Sequence, residues 1–534
     1  MRPATAWAAA LPPHLWRFSV LALCAGLAQA ASLAWPGTGQ PLWWLQLASM
    51  AVLAWLLRPP LPWRRAALLG GLFAIAWLVG TFWWLFISMH TYGGLAAPLA
   101  VLAVLALAGF LASYYAAALA LFAWLAPRHR GLAALVFGAA WLLAELARGT
   151  WWTGFPWGGS GYAHVDGPLA VLARTVGVYG ISWVAAVLAM LLVQARRTDV
   201  RQWRVWLLGG ALLAGWAGLA WQRDCALHGC ANQPLTPPTA TIRLALLQGN
   251  IPQDEKFQPG SGVPLALGWY AQALAEAPAD LVIAPETAIP LLPQQLLPGY
   301  LEDLQQRYTS GPQAALLGIP LGDANQGYTN SVIGWQAGQT QSYQYDKHHL
   351  VPFGEFIPPL FKWFTAMMNI PLGDFNRGAL AQAPMHWRGQ RIAPNICYED
   401  LFGEELAARF LDPAQAPTMF VNFSNIGWFG DSLAIDQHLH ISRMRALEFE
   451  RPMVRATNTG ATAVIDHRGI VTYQLPRLTR AILLAQVQGH AGPPTPYAFW
   501  VARWGLWPLW WLAAGLLCLA WRKRGAVASS AVAG

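Results

Sequence analysis

Three residues of chemically capable types stand at the ends of short apolar runs. Glu286 follows residues 281–284 in LVIAPETAIP, Lys347 lies in YDKHHLVPFGEF, and Cys397 follows residues 391–396 in APNICYEDLF. A thiolate is a nucleophile, a carboxylate can take up a proton, and an ammonium can hold an oxyanion. Each type also has an ordinary reading. A carboxylate after a strand is usually solvated or capping, a lysine is usually surface charge, and a lone cysteine is most often a small buried hydrophobe. The chain has five cysteines, and its only lysines are Lys256, Lys347, Lys362 and Lys523, with arginine used elsewhere. A retained lysine therefore hints at a need for a compact ammonium of adjustable pKa. Which reading applies to Cys397 depends on its compartment and on the elements around it.

Those elements begin with a membrane-protein composition. Of 534 residues, 56% are hydrophobic and only 11% are charged, against about 25% charged in soluble proteins. The net charge of +9 is not gathered into a patch, which argues against a nucleic-acid partner. Apolar stretches near 16–34, 41–57, 64–88, 95–126, 131–147, 168–194, 204–221 and 499–521 match the about 20 residues a span requires. Arg58, Arg64 and Arg65 share one connecting loop, Arg128 and Arg130 another, and Arg196, Arg197, Arg201 and Arg204 a third; Arg522, Lys523 and Arg524 follow the last stretch. Loops 35–40 and 89–94 have no Lys or Arg and 148–167 has only Arg148. This alternation predicts cytoplasmic termini and places 222–498 on the outer face. Residues 25–32, AGLAQAAS, resemble a signal-peptide cleavage site, but the spans that follow favour an uncleaved first helix. Cys24 follows a faint lipoprotein-processing pattern spoiled by the bulky Leu23.

From about residue 240 the apolar runs shorten and turn residues punctuate them. Runs at 242–247, 281–284, 314–317, 391–396 and 419–423 read as buried strands, and 461–465 with 470–473 as a hairpin. Residues 265–276, 300–308 and 438–450 have helical composition. Alternating strands and helices make an α/β domain. The expected division is a membrane domain over 1–221 with seven spans, a proline-bearing linker over 222–240, an exported domain over 241–490, and a last span with a cytoplasmic tail over 491–534. In open α/β sheets catalytic groups collect where strands end, as Glu286 and Cys397 do.

PETAIP, DKHHLVPFGEFIP, NICYED, NFSNIGWFG and RMRALEFERPMVRATNTG occur in that order. Together with the several-span part, they resemble the apolipoprotein N-acyltransferase family, a membrane-bound branch of the nitrilase superfamily. The resemblance implies a multi-span α-helical membrane domain plus an exported α-β-β-α sandwich. It also implies a Glu286, Lys347, Cys397 triad. Glu286 would be the general base, its pKa raised by burial among apolar strands. Lys347 and the Tyr398 N–H would receive the oxyanion. Glu355 and Glu399 would orient Lys347, shuttle protons or form structural ion pairs, and Asn330 is a weaker supporting candidate. The implied acyl donor is a membrane phospholipid and the acceptor the α-amine of an S-diacylglyceryl-cysteine lipoprotein precursor, with a Cys397 thioester between them. The implied location is the bacterial inner membrane, with the catalytic domain periplasmic. No cofactor is called for, and His348, His349, His438 and His440 lack a persuasive metal-ligand set. Two departures, Ile426 where relatives often have Asp and Phe257 where some have Trp, fall in the expected substrate region along with Trp428.

Residues 358–373 gather Phe361, Trp363, Phe364, Met367, Met368 and Ile370 and read as a lid or membrane-dipping arm rather than a core helix. Cys225 and Cys230 are candidates for a disulfide or two free thiols. Two other functions compete. A membrane-tethered amidase acting on a small C–N substrate would use the same triad but leave most spans unexplained. The other is a transporter or scaffold with an inert exported domain; intramembrane charges, the usual transporter signature, are sparse, Glu145 near a span end being the main case.

Overall fold

The computed structural model describes residues 15–58, 61–195, 214, 215, 218, 238–357 and 374–532. Most of the expected span at 204–221, most of the 222–240 linker with Cys225 and Cys230, and the aromatic stretch 358–373 lie outside the described residues.

Among the described residues, five helices are long and apolar enough to cross a membrane: Leu15–Leu33, Trp63–Phe82, Ala97–Leu125, Arg130–Thr153 and Pro168–Gln194. A bent pair, Pro496–Trp504 with Trp507–Arg524, raises the number to six if it counts as one span. About eight spans are expected, and the described residues carry five, or six with the bent pair; two of the expected stretches differ from a simple span. Residues 41–57 contain a helix of only 14 residues, Trp43–Leu56, about 21 Å at 1.5 Å per residue and short of the roughly 30 Å hydrocarbon layer. Residues 499–521 turn through 86°, because Gly505 takes φ 54, ψ −144, a conformation that a side chain would strain.

The later part is a two-sheet sandwich. Strands β1 (Pro238–Gln248), β2 (Leu281–Ala284) and β3 (Ala314–Asp323) run parallel. Strands β4 (Gly327–Trp335) and β5 (Tyr343–Asp346) continue that sheet antiparallel. In the second sheet β7 (Gln390–Ile396), β8 (Met419–Ser424) and β9 (Met453–Thr457) are parallel, with β6 (Met385–Trp387), β10 (Ala463–Ile465) and β11 (Val471–Gln474) outside them. Strand β12 (Ala481–His490) returns to pair antiparallel with β1.

Period-two alternation decides which side chains face which layer. Leu244, Leu246 and Ile283 meet Met419, Val421 and Phe423 between the sheets. Ala245, Leu247 and Val282 turn the other way, onto Tyr270, Leu274, Leu304 and Tyr308 of helices Gly262–Glu276 and Tyr300–Ser310. On the far side Phe420 and Met453 pack with Met444 and Phe449 of helix Ala434–Phe449, in a cluster that runs on without a break into Trp77, Trp84 and Trp141 of the apolar helices. The helix layer on that side of the sandwich is therefore shared with the membrane part. Polar ties cross the same boundary. Gln437 Oε1 accepts from Trp157 Nε1 at 2.8 Å and Trp84 Nε1 at 3.2 Å, Glu448 Oε1 accepts from Val178 N–H at 2.8 Å, and Arg174 pairs with Glu450 at 2.7 Å. Glu145 is buried and accepts from the Ser160 N–H and hydroxyl at 2.8 and 2.7 Å.

Candidate active site

The carboxyl ends of the parallel strands in both sheets converge on one place. Glu286 sits just past β2 and Cys397 directly after β7. Lys347 follows the edge strand β5, and its N–H bonds to Asn330 O at 2.9 Å, which fixes the start of the loop against β4. Cys397 has φ +51, a left-handed conformation that costs a non-glycine residue on the order of 1 kcal/mol. Such a residue ends a strand abruptly and lifts its side chain out of the sheet. A tight turn, Cys397–Leu401, follows.

The elbow is braced from below and from the side. Cys397 O accepts from Asn422 Nδ2 at 3.1 Å and lies 3.2 Å from His438 Nε2. Arg455 Nη2 lies 3.1 Å from His438 Nδ1 and can only donate, so Nε2 carries the proton and faces Cys397 O and Asp400 Oδ1. Glu399 Oε2 accepts from Ile396 N–H at 2.6 Å and Tyr345 Oη at 2.8 Å. Its Oε1 accepts from the N–H groups of His348 and His349 at 2.7 and 3.2 Å. One carboxylate thereby ties the Cys397 turn to the Lys347 loop.

Above the elbow lies a buried charge cluster. Lys347 Nζ donates to Glu355 Oε1 at 2.9 Å and contacts Glu286 Oε1 at 3.4 Å, with its side chain 1% exposed. Asn330 Nδ2 bridges the two carboxylates, at 2.8 Å from Glu286 and 2.7 Å from Glu355. Asn425 N–H donates to Glu286 Oε2 and Val351 N–H to Glu355 Oε2, both at 2.8 Å. Cys397 itself keeps partial exposure, and its Sγ accepts from Ser424 Oγ at 3.4 Å. An accessible sulfur over buried charges suits a nucleophile that must meet a bulky electrophile.

The electrostatics follow from these contacts. Burial pushes the Glu286 carboxyl up, but Lys347, the Asn330 bond, Lys256 and the Asn425 N–H together outweigh it and leave its pKa below the ordinary value. Burial likewise opposes the Lys347 charge, yet Glu355 and Glu286 hold its pKa above the ordinary value. Burial beside Glu286 pushes the Cys397 thiol up to about 12, with Lys347 and Ser424 offsetting part of it. At rest the arrangement is carboxylate, ammonium and neutral thiol. A thiol held this high needs a nearby group to take up its proton before it can act as a thiolate, and Glu286 is the carboxylate whose charge reaches it.

Comparison with known proteins bears on the whole chain. Residues 25–191 match the family model for the apolipoprotein N-acyltransferase N-terminal domain, and residues 243–493 match that for carbon-nitrogen hydrolases. The apolipoprotein N-acyltransferase of Verminephrobacter eiseniae is 68% identical over 93% of this chain and 95% of its own length. That of Ralstonia nicotianae is 48% identical over 91% of each. The chain belongs to the apolipoprotein N-acyltransferase family. Solved structures with a similar domain include an amidase of the nitrilase superfamily from Nesterenkonia, 17% identical with a TM-score of 0.36, covering 52% of this chain and 99% of that one. A Saccharomyces cerevisiae member of branch 10 of the nitrilase superfamily is 15% identical, with a TM-score of 0.34, over 48% of this chain and 92% of its own.

In this apolipoprotein N-acyltransferase family member the structure brings Glu286, Lys347, Cys397, Glu355 and Asn330 into one cluster. Glu355 touches Lys347; Glu399 instead holds backbone N–H groups. The Tyr398 ring points away from the cluster, its hydroxyl donating to Gly154 O at 3.1 Å. As the second residue of its turn, Tyr398 has an N–H with no partner inside that turn. One expectation is corrected: the Glu286 pKa is lowered, not raised, because two ammoniums and two hydrogen bonds outweigh desolvation. Phe257 and Trp428 are half-buried, Phe257 with Lys256 Nζ 5.9 Å from its ring centre and Trp428 6.1 Å from the Tyr92 ring. Ile426 is fully buried in the cluster shared with the helices, so the departure there is absorbed by the core. Phe361, Trp363, Phe364, Met367 and Met368 lie outside the described residues. Among the described residues no group of histidine, cysteine, aspartate and glutamate could hold a metal ion. One charged neighbour was missed: Lys256, 2% exposed, donates from Nζ to Glu286 O at 3.1 Å. The scarcity of lysine that drew attention to Lys347 applied equally to it.

Proposed function

We propose that this protein transfers a fatty acyl chain from a membrane phospholipid to the α-amine of an S-diacylglyceryl-cysteine lipoprotein precursor, through a thioester on Cys397. The observation that carries the reading is a cysteine on a strained elbow against a buried Glu286–Lys347–Glu355 cluster, in a chain of this family. Glu286 accepts the thiol proton as sulfur attacks the ester carbonyl carbon. The oxyanion is held by Lys347 Nζ and the Tyr398 N–H. The C–O bond then breaks, and the leaving lysophospholipid alcohol takes the proton back from Glu286. In the second half the amine attacks the thioester carbon and gives a proton to Glu286. The C–S bond breaks and the thiolate recovers that proton, leaving an amide and the resting thiol. Glu355 keeps Lys347 charged and aimed throughout.

The same proposal includes the setting: a bacterial inner-membrane protein with cytoplasmic termini, a membrane domain over 1–221, a linker to 240, a periplasmic catalytic domain over 241–490, and a final span beyond it. The apolar cluster shared between the sandwich and the helices supports a catalytic domain seated on the bilayer, where both lipid substrates reside. Incubating the purified protein with phospholipid and weighing the peptide that contains Cys397 tests the reading. A fatty-acyl adduct that is discharged by a diacylglyceryl-cysteine peptide is expected, and absent in Cys397→Ala. Turnover of small amides without any acyl adduct would overturn it in favour of an amidase.

A further inference from the structure

Lys256 is the charged group that the triad chemistry does not use. It lies in the segment between β1 and helix Gly262–Glu276, which crosses to the other sheet. Ile251 N–H donates to Asn458 Oδ1 at 3.0 Å and Asn458 Nδ2 to Ile251 O at 2.9 Å. Gln253 Oε1 accepts from Asn425 Nδ2 at 2.9 Å, and Asn425 is the residue whose N–H holds Glu286 Oε2. The segment is thus fastened to the wall of the site, and its lysine is buried there.

A buried ammonium is costly unless something compensates it. No carboxylate bonds to Lys256 Nζ among the described residues; its hydrogen bond goes to the backbone carbonyl of Glu286. The negative groups whose fields reach it are Glu286 and Cys397. Asp254 and Glu255 lie on its own segment, and neither is among its electrostatic partners. Lys347, with Glu355 paired to it, faces Glu286 from the β5 loop. Two ammoniums therefore stand over one negative charge that must travel between a carboxylate and a sulfur.

We propose that Lys256 is a positioning residue for acyl transfer: its ammonium keeps Glu286 ionised at rest and supports the thiolate when the charge moves to Cys397. The inference rests on the reading of Glu286 as base and Cys397 as nucleophile. The lysine is suited to this because Glu355 engages Lys347 alone. Lys347 faces Glu286 and Cys397 too but is also held in a direct pair with Glu355, whereas the charges that reach Lys256 are those of Glu286 and Cys397 alone. Its backbone bond also holds the peptide at Glu286, which follows β2 directly. Burial lowers the Lys256 pKa to about 8, so its charge is present at neutral pH.

The test follows acylation of Cys397 by phospholipid in detergent micelles, without acceptor, across pH 3 to 8, so that the acidic limb set by Glu286 falls inside the range. Full-length wild type, Lys256→Met and Lys256→Arg are compared, with Lys256→Gln standing in for the methionine variant if that one does not accumulate. Loss of the charge is expected to slow acylation about tenfold at pH 7 and move the acidic limb of the profile up by about one unit, since Glu286 then protonates at higher pH. Lys256→Arg is expected to keep the wild-type limb. A neutral variant whose limb coincides with wild type, whatever its rate, overturns the inference, because a purely structural lysine changes rate and not pH position. So does an arginine variant whose limb moves as far as that of methionine. Failure of wild type itself to be acylated instead removes the reading on which the inference stands.

Discussion

Replacement of Glu399 by glutamine separates a strut from a proton carrier. The carboxylate receives four hydrogen bonds, from the N–H groups of Ile396, His348 and His349 and from the Tyr345 hydroxyl. A carboxamide oxygen can keep the pair from His348 and His349. Its NH2 then faces Tyr345, which can turn to accept, and the Ile396 N–H, which cannot. One buried N–H is orphaned, at about 1–3 kcal/mol. The bonds that remain lose their charge assistance, on the order of another 1 kcal/mol. A total of about 2–4 kcal/mol corresponds to a melting point lower by roughly 5–15 °C for a domain of this size. Because Ile396 immediately precedes Cys397, the loss falls on the elbow and acylation slows at every pH alike. Thermal unfolding of the full-length protein in detergent, paired with the pH profile of Cys397 acylation, measures both. A Glu399→Gln protein that melts within about 1 °C of wild type but no longer acylates would refute the strut.

Two further outcomes follow from the same contacts. Glu286→Gln leaves a thiol near 12 without its base and is expected to slow Cys397 acylation by about 10²–10⁴; a loss under tenfold, measured on folded protein, counts against Glu286 as base. Glu404, beside the interface with the apolar helices, is pushed by burial from 4.5 up to about 7. Stability tied to its neutral form is complete below the unfolded value and lost as pH rises through about 7. Glu404→Gln, neutral throughout, should melt with wild type at pH 4 and above it at pH 8, and equal melting at pH 8 contradicts this.

Much of the sandwich was legible because its central strands are buried on both faces and read as apolar runs: 242–247, 281–284, 391–396 and 419–423 all fall inside observed strands. Strands β4 and β12 escaped notice. Polar residues open YTNSVIGW in β4, and β12 alternates between buried and exposed positions, so neither shows a continuous apolar run. The Gly505 bend escaped because hydropathy reports composition and not direction. Roles of individual carboxylates were equally hidden. Glu355 and Glu399 looked alike as acidic neighbours of reactive residues, but one meets an ammonium and the other four hydrogen-bond donors.

The amino-acid sequence alone carried the residue types, the strand ends on which they stand, and the apolar stretches that tie the chain to a membrane, since these depend on local pattern. Only the tertiary structure decided what those residues do to one another. Lys347 reaches Glu286 across 61 positions, and Lys256 reaches it across 30 through a backbone oxygen that has no signature in the chain. The ionisation of Glu286 is the clearest case. Burial could be expected from its apolar neighbours, and burial alone raises a carboxyl pKa. The cations that reverse the direction arrive from other loops, so the sign of the shift belongs to the fold.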